Sequence, residues 1–190
     1  SWNGNDIKNE MGKVRIVPDN RSASSTGISW GAMYWQYMES LDKITGHETP
    51  MSLKKELFVE RTSPRGPVME LVTDTTSVKI GDRIKVRIEL RSDRDMEYVH
   101  MKDMRASGLE PENVLSQYKW QDGLGYYEST RDAATNFFFS YFRKGVYVFE
   151  YSLRATQEGD FSNGITNIEC MYAPEFSSHS FGKRLVIRGK

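Results

Sequence analysis

The sequence predicts an all-β chain, an antiparallel β-sandwich broken by one long, partly helical excursion. Three observations carry that prediction. Ile84, Val86, Ile88 and Leu90 alternate with Arg83, Lys85, Arg87, Glu89 and Arg91, and a period of two sets every apolar side chain on one face of a strand. Aromatic residues make up 12% of the chain, with 10 Tyr and 9 Phe, and such side chains suit a pleated, half-buried surface better than a helix. Short apolar runs recur with Gly- and Asp-bearing turns between them, which is how a sandwich is written.

Taken in order, the N-terminal part reads as strands. Residues 14–17 form a short β-branched run, and residues 28–37 carry Trp30, Tyr34, Trp35 and Tyr37. A helix over 30–41 competes there, because Met, Ala, Leu and Glu are good helix formers. The alternation of bulky aromatics with Ala32 and Gln36 favours a strand. The Ser-rich stretch 19–27 reads as a flexible loop. A further strand is predicted over 53–59, after which Pro64, Gly66 and Pro67 break the pattern.

The clearest strand, 78–91, opens on a turn at Ile80-Gly81-Asp82. The next covers 96–104, after the polar turn Ser92-Asp93-Arg94-Asp95. Residues 135–142, dense in Phe, lead into a hairpin turn at Arg143-Lys144-Gly145, where Gly145 can take a positive φ. Tyr147, Phe149, Tyr151 and Leu153 then share one face. Glu158-Gly159-Asp160 turns the chain again, 161–172 reads as one strand, and Leu185 and Ile187 sit in a last one. The excursion spans 105–132 and holds Glu110-Pro111-Glu112-Asn113-Val114-Leu115, read as a single helical turn. It is too long and too aromatic for a bare connector.

The totals bound the function. A chain of 190 residues is one domain, or one domain and a partial neighbour, and buries roughly 70% of its unfolded surface. Lys plus Arg equals Asp plus Glu at 26 each, so no global field draws in nucleic acid or an anionic membrane. The single cysteine, Cys170, cannot form an internal disulfide. No apolar run approaches the ~18 residues a membrane span needs. No signal peptide is visible. The chain starts on a polar stretch from Ser1 without an initiator Met and reads as a fragment whose targeting signal would lie upstream.

Chemistry is sparse. His47, His100 and His179 never fall at metal-ligand spacing and no Cys-x-x-Cys exists, so no metal and no cofactor are expected. Cys170 sits in an apolar strand without an adjacent base and reads as a core thiol. No Gly-x-Ser-x-Gly elbow occurs, and Gly123-Leu124-Gly125 is too short for a phosphate loop. Asp93, Asp95, Asp103, Glu110, Glu112, Asp122, Glu128 and Asp132 read as salt-linked turns rather than as a glycosidase pair. No catalytic residue is expected.

The unusual segment is 118–127. Tyr118, Trp120, Tyr126 and Tyr127 on a loop would anchor an interdomain or partner contact, or form a sugar platform. The reading preferred from the sequence is that the rings fold back and cap the open end of the sandwich.

Several runs together resemble a known family. Residues 93–106 (Asp-Arg-Asp-Met-Glu-Tyr-Val-His-Met-Lys-Asp-Met-Arg-Ala), 121–132, Thr135-Asn136-Phe137-Phe138-Phe139, Lys144-Gly145 with Phe149-Glu150-Tyr151, and Cys170-Met171-Tyr172-Ala173-Pro174-Glu175-Phe176 resemble the C-terminal macroglobulin-like domain of bacterial alpha-2-macroglobulins of the Bacteroidetes type. The resemblance covers roughly 68–190.

It implies a macroglobulin/immunoglobulin-like sandwich over 67–190. Residues 1–66 would be strands from the region after the thioester domain, an incomplete domain by themselves. It also implies an extracytoplasmic place in a Gram-negative cell envelope, periplasmic or outer-membrane-anchored, within a protein that traps proteases after bait cleavage and thioester capture. The thioester motif Cys-x-Glu-Gln is absent, since Met171-Tyr172-Ala173 follows Cys170. The implied role is therefore a non-catalytic module that packs on the thioester domain and moves as the trap closes. The implied partners are other domains of the parent chain and, through it, proteases. Nucleic acid is not among them. A carbohydrate-binding or adhesive sandwich is the competing reading.

Overall fold

The computed structural model of the chain describes residues 2–15, 34, 36–121 and 123–189. It divides into two compact units, Ser1–Tyr37 and Met38–Lys190. In the first, Gly4–Asp6 and Asn9–Gly12 form single 3-10 turns. The strand expected over 28–37 and the loop over 19–27 lie almost wholly outside the described residues. Of the 14–17 run, Val14 and Arg15 are described and carry no regular structure.

The second unit opens on the 3-10 turn Leu41–Lys43 and then runs through strands only. In chain order they are β1 (Met51–Ser63), β2 (Gly66–Leu71), β3 (Val78–Lys79), β4 (Arg83–Ser92), β5 (Met96–Met104), β6 (Leu109–Pro111) and β7 (Gln117–Gln121). There follow β8 (Leu124–Thr130), β9 (Ala134–Phe142), β10 (Gly145–Ala155), β11 (Gly159–Ser162), β12 (Thr166–Cys170), β13 (Ala173–His179) and β14 (Arg184–Arg188). They make a five-stranded sheet in the order β2-β1-β4-β10-β6 and a six-stranded sheet in the order β13-β12-β5-β9-β8-β7. A small third sheet has the order β11-β14-β3. The pairing is antiparallel except between β14 and β3.

Alternation decides what lies inside. Ile84, Val86, Ile88 and Leu90 of β4 are all buried, as their spacing predicts, and meet Leu53, Leu57 and Val59 of β1 and Phe149 and Leu153 of β10. The six-stranded sheet answers with Val99, Met101, Leu124, Tyr126, Phe137, Phe139, Phe142 and Ile168. Edge-on ring pairs such as Tyr126 with Phe149 (5.4 Å, 88°) and Phe142 with Tyr147 (4.8 Å, 61°) knit the two layers, a geometry favoured by the ring quadrupoles.

The structure corrects three expectations. Among its described residues, the excursion 105–132 contains no helical turn. Leu109 is buried and β6 pairs with β10 as Leu109↔Ala155, while Glu112 N–H bonds to the Ser152 carbonyl at 3.1 Å. Core burial and sheet pairing thus outweigh the local helical signal. Residues 118–127 are a β-hairpin, β7–β8, rather than a loop; Trp120 faces Gly125 across it and Gly123 sits at φ +77°.

The single strand expected over 161–172 is two strands in different sheets. The chain crosses over at Gly164, where a Cβ would lie 2.4 Å from that of Met104. Gly66 and Pro67 lie in the β1–β2 hairpin, opposite Ser63 and Thr62, and β1 pairs with β4 from Met51↔Ser92 to Val59↔Ile84.

Candidate functional site

The outer faces of the two large sheets differ in chemistry. On the five-stranded sheet an ion-pair lattice runs across the outward residues, with Val146 exposed beside it: Arg83 with Glu60 (3.4 Å) and Glu112 (2.7 Å), and Glu150 with Lys85 (3.5 Å) and Arg87 (3.9 Å). That is a solvated face.

The outer face of the six-stranded sheet carries rings. Strand register sets Tyr118, Tyr127, Phe138, His100, Glu169 and Ser177 side by side across the whole sheet. Tyr118 and Tyr127 meet at 5.0 Å with a 59° tilt. His100 stacks on Phe138 at 4.7 Å and 8°, and its Nε2 lies 3.0 Å from Asn136 Oδ1. Tyr118 is 78% exposed and Trp120 81% exposed. The Trp120 indole lies over Gly125, the one residue there whose missing Cβ leaves it room.

A second cluster stands beside this row, at the β12–β13 turn. Tyr98 takes φ +54°, the sole positive value among described non-glycine residues, and meets Tyr172 edge-on at 5.2 Å. Met171 N–H bonds to the Tyr98 carbonyl at 2.9 Å. Tyr98, Met171 and Tyr172 are all exposed. A bulky residue held in the left-handed region stores backbone strain, and here it accompanies an apolar tip aimed at solvent.

Of the four aromatics singled out from the sequence, three remain on this surface. Tyr126 turns inward, is 5% exposed, and packs on Phe137, Phe139 and Phe149. Burial and the nearby Glu128 push its hydroxyl pKa up to about 12. The period of two on β8 separates Tyr126 from Tyr127. Phe138, Tyr98 and Tyr172 were not singled out, although Phe138 lies out of phase with Phe137 and Phe139 and so had to face outward.

Inside the sandwich lies a polar cluster that composition does not announce. Lys55 of β1 meets Asp103 of β5 at 2.6 Å, with side-chain exposures of 5% and 0%. The ammonium also donates to the carbonyls of Met104 (2.6 Å) and Gly164 (3.2 Å), so all three of its protons are used. Asp103 further accepts from Thr166 Oγ1 at 2.7 Å and from the Tyr151 hydroxyl. Burial, then Asp103, raises the Tyr151 pKa well above its usual value. A lysine with every proton engaged is a structural cation, not a nucleophile.

Glu128, Glu112, Asp93 and Asp95 have partners too. A cleft of about 390 Å³ opens beside β6, β8 and β10. In it Glu128 binds Lys119 at 2.8 Å, and Glu112 is shared by Arg83 and Arg154. Asp93 holds Arg94 at 2.9 Å, and Asp95 accepts from Tyr141 (2.7 Å) and Lys144 N–H (2.7 Å). Cys170 is buried, with its Sγ donating to the Glu97 carbonyl at 3.3 Å. No group of three or more metal-binding side chains occurs among the described residues. Among them also, no helix is long and apolar enough to cross a membrane.

Residues 51–175 match the bacterial alpha-2-macroglobulin MG10 domain. The chain belongs to that family. Solved alpha-2-macroglobulin structures share its fold. That of the Escherichia coli protein activated by porcine elastase superposes with a TM-score of 0.61 at 17% identity, covering 76% of this chain and 14% of that one. The native E. coli protein from domain MG7 to the C-terminus gives 0.59 at 14%, covering 75% and 24%. The Salmonella protein reacted with methylamine gives 0.58 at 16%, covering 76% and 10%. This MG10 chain thus spans between 10% and 24% of the length of these structures. No curated protein matches it.

Proposed function

We propose that the chain is the non-catalytic C-terminal module of an alpha-2-macroglobulin-like protease trap of the Bacteroidetes type. In this reading it packs against the thioester domain, moves when the trap closes, and works outside the cytoplasm in a Gram-negative envelope. Residues 1–66 would include the stretch that connects it to the thioester domain.

The observation that carries this reading is the asymmetry of the outer faces. Water is excluded from apolar contacts at a stable interface, and aromatic side chains anchor such contacts. One sheet presents mainly salt-linked charges, with Val146 among them. The other presents Tyr118, Trp120, Tyr127 and Phe138, with Tyr98, Met171 and Tyr172 at its margin. A domain of the same long chain is the partner such a face fits.

The test uses the full-length trap. Tyr118→Ser with Tyr172→Ser changes two exposed rings and leaves the core alone. The isolated chain should keep its Tm within about a degree, because exposed substitutions cost little. The full-length variant should lose most of its capture of trypsin or elastase. Capture at the parental level would contradict the proposal.

A second reading, a carbohydrate-binding or adhesive sandwich, draws on the exposure of Trp120. The 59° tilt between Tyr118 and Tyr127 gives no flat platform for a sugar ring, so docking is preferred. Binding on a glycan array that disappears in Trp120→Ala would reverse that preference.

A further inference from the structure

Two histidines with no sequence spacing in common meet on the sandwich edge. Residues 41–50 lead into β1 by running along β13. His47 and His179 exchange both backbone hydrogen bonds, each at 3.0 Å, as an isolated antiparallel bridge. Neighbouring contacts fix the register. Thr49 N–H bonds to Ser178 Oγ at 3.0 Å, and Gly182 N–H to the Ile44 carbonyl at 2.8 Å. The Phe181 ring covers Gly46, where a Cβ would sit 2.8 Å from it.

On this fixed backbone the two imidazoles stand on the same side, with ring centroids 5.7 Å apart and planes 31° apart. Cross-strand partners project together by the geometry of the pleat. The Nδ1 of His179 lies 3.4 Å from the Ser180 carbonyl. In the tautomer that donates Nδ1–H to this carbonyl, the Nε2 lone pair is free to bind a metal. A backbone carbonyl holding one ring nitrogen while the other points outward is the usual support of a metal-binding imidazole. His47 is exposed, so its ring can turn to share a metal ion.

We infer that His47 and His179 form a two-imidazole site for a late first-row divalent cation, Ni²⁺, Cu²⁺ or Zn²⁺. Imidazole suits these ions, and waters would fill the other positions. The ion would fasten the 41–50 stretch onto β13. Binding only to the folded state, it would stabilise that state by mass action.

The probe is NiCl₂ titrated into the whole chain, with calorimetry and thermal melts. One ion should bind per chain. Tm should rise by about 5 °C when free nickel is roughly a hundredfold above its dissociation constant, and EDTA should reverse the rise. His47→Ala and His179→Ala should each weaken binding at least tenfold. His100→Ala, which alters the remaining histidine, should leave binding unchanged. Both alanine variants retain the backbone groups of the bridge, and their metal-free Tm values are measured to check that they fold. The inference is overturned if nickel produces no heat and no shift, or if the shift survives in His47→Ala.

Discussion

Lys55 lies in phase with Leu53, Leu57 and Val59 on β1, and Asp103 in phase with Val99 and Met101 on β5. Alternation alone therefore carries both charges inward. The pair stands where two charges are out of water, so its Coulomb gain is largely offset by desolvation. Removing one partner is a different matter, since it strands the other. Lys55→Met or Asp103→Leu should each cost about 3–5 kcal/mol in urea unfolding, and the double substitution much less than their sum. Additive costs would show that the pair is not coupled. The outward and inward positions of β4 should separate as cleanly. Ile88→Asp should cost about 4 kcal/mol or more, and Arg87→Asp about 1 kcal/mol or less. The β4 row was legible in the sequence because alternation is a local signal. The Lys55–Asp103 contact was not, because phase says which side chains go in and not which of them meet. The His47–His179 bridge escaped for the same reason.

At the scale of elements, turns decide the pairing. Asp95 holds the turn between β9 and β10 by accepting from Lys144 N–H and the Tyr141 hydroxyl. Those two hydrogen bonds, in that order, keep its pKa below the usual carboxylate value. The folded state thus binds fewer protons than the unfolded state around pH 3–4. Its contribution is present above the ordinary Asp pKa and is lost as pH falls through the depressed one. Asp93 and Asp42 shift in the same direction. Acid melts should therefore show Tm falling below about pH 4, less steeply in Asp95→Asn. An unchanged slope would remove Asp95 from the account. At Gly164 the crossover from β11 to β12 presses on Met104, and Gly164→Ala should cost about 1–3 kcal/mol as an overpacked contact. The hairpin at Gly145 was legible from its sequence. The split of 161–172 and the strands within 105–132 were not, because sheet membership is settled by distant partners such as β5 and β10.

For the molecule as a whole, the sandwich and its interior were readable in advance, while the candidate surface was readable only in part. A Phe-rich β9 announces a core; that Phe138 joins Tyr127 and His100 in one row depends on a register spanning six strands. Tyr126 illustrates the same limit, an aromatic of the conspicuous segment that phase sends inward. If the six-stranded sheet is the docking face, its amides are covered in the assembled protein and bare in the isolated chain. Hydrogen exchange reads this directly, on the isolated chain, the full-length trap, and the trap after protease cleavage. Exchange over 117–127 and 168–176 should be slower in the full-length trap than in the isolated chain, and should change there once the protease has acted. Equal exchange in all three, with the charged face of β1 and β4 protected instead, would contradict docking through that sheet.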